Sequence, residues 1–194
     1  TASRAVTTGD DHIALGYNAI LSSPVVTALD AVTTGDDNIA LGYNALTALN
    51  TGTSNIAIGT STLEANDDGS YNHAIGFRAL QDNQSGERNI AIGYETLKNN
   101  VDAHYNIGIG QSVMAANTTG ASNTGLGESA LSNNTTASNN TAVGGASLPA
   151  NTTGASNTAV GYKSLYANTT ASNNTAVGTS SLEANTTGDQ NTAV

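Results

Sequence analysis

Acidic pairs are the residues of this 194-residue chain whose type and spacing come nearest to metal chemistry. Asp10 and Asp11 follow a Thr-Thr-Gly phrase, and Asp36 and Asp37 follow an identical one. Carboxylate oxygens are the ligands that Ca²⁺ prefers, so stacked pairs could bind calcium. The pairs do not recur through the whole chain, as a calcium-built repeat would require. We therefore interpret them as solvated turn residues, with a calcium site as the alternative.

Tyrosines form a second candidate site, because an exposed aromatic ring can offer its apolar face to a sugar. Each of them follows a recurring glycine, and the candidates for glycan contact are Tyr17, Tyr43, Tyr94 and Tyr162. Packing of the rings over the edge of a repeat explains the same pattern more simply. Sugar binding is therefore kept as a hypothesis.

Threonine pairs raise a third possibility, since flat ranks of Thr on a β-structure can order ice-like water. The pairs begin at Thr118-Thr119 and end at Thr186-Thr187, and each follows an asparagine. This setting is typical of a turn and not of a flat strand. Ice binding is for that reason the least favoured of the functions considered.

Nothing in the sequence predicts catalysis. The histidines His12, His73 and His104 occupy unrelated places in the repeat, the chain has no Cys, and the serines lie in repeating turns. An active site needs a unique group of residues, which a uniform array does not offer. We expect a protein that is not an enzyme.

The elements that position all these residues are set by a 17-residue repeat, which appears as the phrase Asn-x-Ala-aliphatic-Gly. Its glycines are Gly42, Gly59, Gly76, Gly93, Gly110, Gly127, Gly144, Gly161 and Gly178. Positions are counted from this glycine below, so that the aliphatic residue is at −1. An earlier copy ends at Gly16, a spacing of 17 plus 9, which places an insertion at about 21–29. We expect a single array over 1–194, cut from a longer protein.

Five positions of the repeat carry structural information. Asparagine recurs at −4 and +7, Ala or Gly at −2, an aliphatic residue at −1, and Leu or Met at +4. Stacked asparagines can form side-chain amide ladders, and the −4 ladder is predicted to contain Asn55, Asn72, Asn89, Asn106, Asn123, Asn140, Asn157 and Asn174. The −1 and +4 residues are predicted to form two ribs of core, represented by Ile58, Leu63, Ile92, Leu97, Val143, Leu148, Val160 and Leu165.

The fold that fits this repeat is all-β. No 3.6-residue apolar rhythm is present, whereas a short strand, a glycine turn, a second short strand and an Asn-rich turn fill 17 residues. We predict a parallel β-solenoid, or β-roll, of about eleven 17-residue coils. The small residue at −2 has two explanations: it fits a narrow interior, or it packs against partner chains around a threefold axis.

The charge and the apolar content exclude two classes of partner. With 5 Lys and Arg against 15 Asp and Glu, the net charge of −10 leaves nothing to bind phosphate groups, so we expect no nucleic acid. No stretch is long and apolar enough to predict membrane insertion.

The repeat also resembles known ones. Asn140-Thr141-Ala142-Val143-Gly144 and its neighbours are similar to the Asn-Thr-Ala-Val-Gly arrays of tail fibres from phages and other large viruses, and to the β-roll head repeats of trimeric autotransporter adhesins. The resemblance covers the whole chain, although adhesin-head repeats are shorter. It implies a left-handed roll, a homotrimer or polymeric fibre, and an extracellular place on a virion or a cell surface.

The function that the resemblance implies is a structural or adhesive fibre segment, a tail-fibre shaft or head that contributes to attachment to a host glycan or protein receptor. A cell-surface adhesin or extracellular filament subunit is the alternative.

Overall fold

A computed structural model of the chain describes residues 13–15 and 34–194. The predicted insertion at about 21–29, the aspartates Asp10 and Asp11, and Tyr17 lie outside the described residues. These residues contain eleven short strands: β1 Ile13–Leu15, β2 Ile39–Leu41, β3 Ile56–Ile58, β4 His73–Ile75, β5 Ile90–Ile92, β6 Ile107–Ile109, β7 Thr124–Leu126, β8 Thr141–Val143, β9 Thr158–Val160, β10 Thr175–Val177 and β11 Thr192–Ala193.

The strands form one parallel sheet in sequence order. From β2 onward equal positions of successive repeats are paired, as in Thr141 with Thr158, and β1 joins the sheet through Ile13 opposite Ile39. The all-β parallel solenoid with 17-residue coils is thereby confirmed, and the described residues contain no helix. They make about nine turns, fewer than the eleven predicted, because the turns that hold β1 and β11 are not complete within them.

The prediction of a second short strand in each coil is wrong. A tight turn occupies that place, with left-handed backbone at +2 and +4, for example at Lys163 (φ 57°) and Leu165 (φ 50°). Ser164 and Leu165 are both completely buried. Adjacent residues of a strand point to opposite sides, so only a turn can direct both of them inward.

The core is one file of leucines facing small residues. Leu63, Leu97, Leu148 and Leu165 at +4 are completely buried, and so are the −2 alanines from Ala40 to Ala176. The prediction that the −1 residues form a second core rib is wrong for this chain, because their side chains point outward. Ile58 and Ile92 are 36% and 37% exposed, and Val143 and Val160 are half-buried.

The narrowness of the coil explains why the small residue at −2, and not the larger one at −1, points inward. A Cβ added to Gly125 at −2 would lie 2.5 Å from Cγ1 of Val113 and 3.3 Å from Cε of Met114. At this turn the opposite wall, which has Val113 at +3, leaves room only for Gly, whereas the next turn, which has Ala130 at +3, accommodates Ala142. Of the two explanations for the small column, the narrow interior is the one that the structure supports.

The same contact leads to a prediction about packing. We expect Gly125→Ala to lower the free energy of unfolding by about 1–3 kcal/mol through overpacking. Val113→Ala in the same chain should remove the clash, since the next turn has Ala130 and Ala142 at these positions, both buried. Urea unfolding of the two single variants and the double variant should give a favourable coupling of at least about 1 kcal/mol. Additive effects would contradict the packing argument.

Candidate functional site

The −4 asparagines form a continuous ladder inside the coil. The side-chain Oδ1 of Asn140 accepts the backbone N–H of Asn157 at 2.9 Å, and the backbone N–H of Asn140 donates to Oδ1 of Asn123 at 2.9 Å. All eight predicted ladder residues are completely buried. Each ladder side chain thus supplies a hydrogen-bond acceptor to the backbone of the next turn.

The +7 asparagines form a second ladder, and the two ladders meet. Nδ2 of Asn151 donates to Oδ1 of Asn134 at 3.0 Å and to the carbonyl of Gly154 at 2.9 Å. Nδ2 of Asn140 donates to that same carbonyl at 2.9 Å. In the turns from Gly69 to Ala171, one carbonyl at +10 thus accepts two buried side-chain amides. The ladders are structural, since their hydrogen bonds are made within the coil.

The outward face of the sheet, called the outer face below, is the most extensive uniform surface of the described turns. It consists of the side chains at −3 and −1 from β2 to β11: Ile39, Leu41, Ile56, Ile58, His73, Ile75, Ile90, Ile92, Ile107, Ile109, Thr124, Leu126, Thr141, Val143, Thr158, Val160, Thr175, Val177, Thr192 and Val194. It contains no Lys, Arg, Asp or Glu. At about 4.8 Å per strand it is about 43 Å long.

Aromatic rings border the outer face at +1. Tyr43, Tyr94 and Tyr162 are each about half exposed. The ring of Tyr94 stacks on Phe77 at 5.3 Å between centroids, and Nζ of Lys163 lies 5.4 Å from the ring of Tyr162. These rings contact their neighbours along the edge while keeping part of their surface open.

A second aromatic group, not singled out from the sequence, lies on the opposite border at −5. The guanidinium of Arg88 is 5.1 Å from the ring of Tyr71 and 5.6 Å from the ring of Tyr105, and it hydrogen-bonds Glu87 at 2.7 Å. A cation between two rings is favourable. The signal was present in the sequence, since Tyr71, Arg88 and Tyr105 are spaced by one repeat.

The acidic and histidine candidates do not lie together in one site. Asp36 and Asp37 are exposed, and among residues 13–15 and 34–194 no three His, Cys, Asp or Glu side chains are grouped so that they could hold a metal ion. His73 points outward from β4, and Nδ1 of His104 accepts the backbone N–H of Glu87 at 2.9 Å. The calcium site remains a prediction, and Asp10 and Asp11 fall outside this description.

Threonines occupy two different places. The pairs such as Thr118-Thr119 lie in the turn after the second ladder, where Thr118 Oγ1 donates to the carbonyl of Thr135 at 3.1 Å. A separate rank lies at −3 on the outer face, and its members are Thr124, Thr141, Thr158, Thr175 and Thr192. In the first half of the array the same position holds Ile in most turns.

Comparison with known proteins adds no family. No family model, curated protein or solved structure matches the chain significantly. In the described part of the chain no helix has the length and apolarity needed to cross a bilayer.

Proposed function

We propose that this chain is a rigid segment of an extracellular fibre, the shaft or head of a viral tail fibre or surface fibre, which contributes to attachment. The observation that carries the proposal is the outer face, a largely aliphatic stripe without Lys, Arg, Asp or Glu that continues through the described turns from β2 to β11. A soluble monomer rarely leaves such a stripe open along its length, because apolar surface in water is unfavourable.

Three copies of this chain, packed as left-handed rolls through their outer faces, form the fibre in this proposal. Ile90, Ile92, Ile107 and Ile109 would be removed from water in the first half of the stripe, where the residues at −3 are mostly Ile. In the second half the −3 threonines would satisfy their hydroxyls across the axis while Val and Leu pack. A parallel arrangement places equal halves together, so the change from Ile to Thr favours one direction of assembly.

Attachment is assigned to the aromatic borders, since they stay at the surface when the outer faces are joined. Tyr43, Tyr94 and Tyr162 would contact a host glycan or protein receptor. A cellular adhesin or filament subunit would use the same coil and the same borders, and it is the alternative within this class.

Ice binding is a second candidate, and the −3 threonine rank favours it more than the turn threonines did. Thr141, Thr158 and Thr175 stand one strand apart on a flat parallel sheet. Fibre assembly and ice binding would use the same surface, so an outer face buried against partner copies could not bind ice.

The test is the oligomeric state of the whole chain, measured by sedimentation and mass photometry. We expect the parent to be trimeric and the double variant Ile92→Arg with Ile109→Arg to be monomeric, because Arg is costly in a desolvated face. The matched control is Thr136→Arg with Thr153→Arg, which places the same charges on exposed turns of adjacent coils.

The control should remain trimeric, and circular dichroism should show that both variants are folded. A parent that is monomeric at all concentrations would overturn the three-roll fibre. Thermal hysteresis by that monomer, lost on exchanging Thr158 for a larger residue, would support ice binding in its place.

A further inference from the structure

The asparagines in Asn-X-Ser/Thr sequences, the acceptors of N-linked glycans, fall into two groups in this fold. Six acceptors belong to the second ladder: Asn83, Asn117, Asn134, Asn151 and Asn168 are completely buried, and Asn185 in the last described turn is half-buried. Three others are exposed: Asn133, Asn139 and Asn173. The buried group stands in consecutive turns for its last four members, so it is a regular property of the array.

The buried acceptors cannot carry a sugar in the folded chain. Glycosylation joins Nδ2 to C1 of the sugar, breaks the bond from C1 to the polyprenyl pyrophosphate of the donor, and removes one amide proton. Nδ2 of Asn117 uses both of its hydrogens, towards Oδ1 of Asn100 at 3.0 Å and the carbonyl of Gly120 at 2.9 Å. A glycan would remove one of these bonds and would need space that a closed interior does not have.

The fold does not need these sequences. At the position that Thr119 occupies, other turns have Asp68 and Asp102, and the ladder asparagines Asn66 and Asn100 still hydrogen-bond in the same way. Thr119 itself is exposed. A chain made where glycosylation threatens its folding could therefore lose the acceptor sequences by single exchanges at the surface.

We propose that this chain is made and folded without meeting an oligosaccharyltransferase that modifies Asn-X-Ser/Thr. Such an enzyme acts on chains before they fold, so the sequence and not the final burial decides which asparagines it modifies. Glycans placed on the second ladder would then prevent the coil from closing. The inference is independent of the fibre proposal, and it disfavours a filament that is secreted through a glycosylating pathway.

The experiment compares the 194-residue chain made in a bacterial cytosol with the same chain directed into a yeast secretory pathway. We expect the secreted parent to be glycosylated on second-ladder asparagines and its folded yield to fall at least about tenfold. A variant without the second-ladder acceptors, carrying Ala in place of Ser85, Thr119, Thr136, Thr153, Thr170 and Thr187, should be secreted folded. It must also fold in the bacterial cytosol.

The matched control removes the exposed acceptors by Asn133→Gln, Asn139→Gln and Asn173→Gln. Gln190 already has the left-handed backbone that Asn139 and Asn173 adopt, so the exchanges are tolerated by the turn. This control should be as poorly secreted as the parent. A parent that is secreted folded, or a variant without the second-ladder acceptors that folds in the bacterial cytosol but is not rescued in yeast, would overturn the proposal.

Discussion

Gly161→Ala is expected to lower the free energy of unfolding by about 3–5 kcal/mol, through a strained backbone and a clash together. Gly161 has φ 130°, and a Cβ at this residue would lie 2.5 Å from the carbonyl oxygen of Gly178. That atom belongs to the backbone of the next turn, so it cannot move aside without opening the stack. All nine described glycines of this column have φ between 117° and 142°.

Gly145→Ala is the matched control for this prediction. A Cβ on Gly145 would meet only the Cδ2 atom of Tyr162, at 3.6 Å, which is an ordinary contact. The equivalent position of other turns holds Tyr43, Phe77 or Tyr162. Urea unfolding followed by circular dichroism should find Gly145→Ala neutral or stabilising by up to about 1 kcal/mol. Equal effects of the two exchanges would show that the column glycines are not required by the backbone.

The period and the ladders were the parts of this fold that the sequence could predict. A ladder asparagine must stand at the same place in every turn, because its partner is the same atom one turn away. The pairing of Asn123 with Asn140 and of Asn140 with Asn157 follows from that requirement alone. The parallel register follows as well, since an insertion or deletion in any described turn would break both ladders.

Which face of the strand is inside could not be predicted in the same way. Alternation of Ala with Ile or Val fits either orientation, and the larger apolar residue is usually the buried one. Here the decision is made by Leu148 and its equivalents at +4, which fill the coil and leave room only for Ala. Those leucines have left-handed backbone, which Leu seldom adopts, so their turn was interpreted as a strand.

The outer face could be recognised only once the structure placed the −1 side chains on the outside of the coil. The sequence predicts Ile58 and Ile92 in the core, and in the structure they lie on the outer face with 36% and 37% of their surface exposed. The −3 threonines belong to the same face, since Thr158 lies on β9 and is separate from the turn pairs such as Thr152-Thr153. The candidate site therefore depends on which face of the strand points outward, and the residue types alone do not determine that.

Asn140→Ala tests the ladder, and we expect it to lower the free energy of unfolding by about 2–4 kcal/mol. The exchange leaves the backbone N–H of Asn157 buried without its acceptor and removes one of the two donors to the carbonyl of Gly154. In a stacked array the loss falls on the interface between neighbouring turns, so the adjacent turns should lose amide protection in hydrogen exchange as well.

Asn133→Ala is the control, because Asn133 is exposed and its Nδ2 donates to the carbonyl of Pro149 at the surface. We expect its effect to stay within about 0.5 kcal/mol. Thermal and urea unfolding of both variants decide the matter, with hydrogen exchange to locate the change. If Asn140→Ala lowers the free energy of unfolding no more than Asn133→Ala does, the ladders do not stabilise the fold. The backbone hydrogen bonds between stacked turns must then supply its stability. If the loss is large and confined to the turns beside Asn140, each pair of turns is held by its own two ladder hydrogen-bond sets, and the array can be lengthened one repeat at a time.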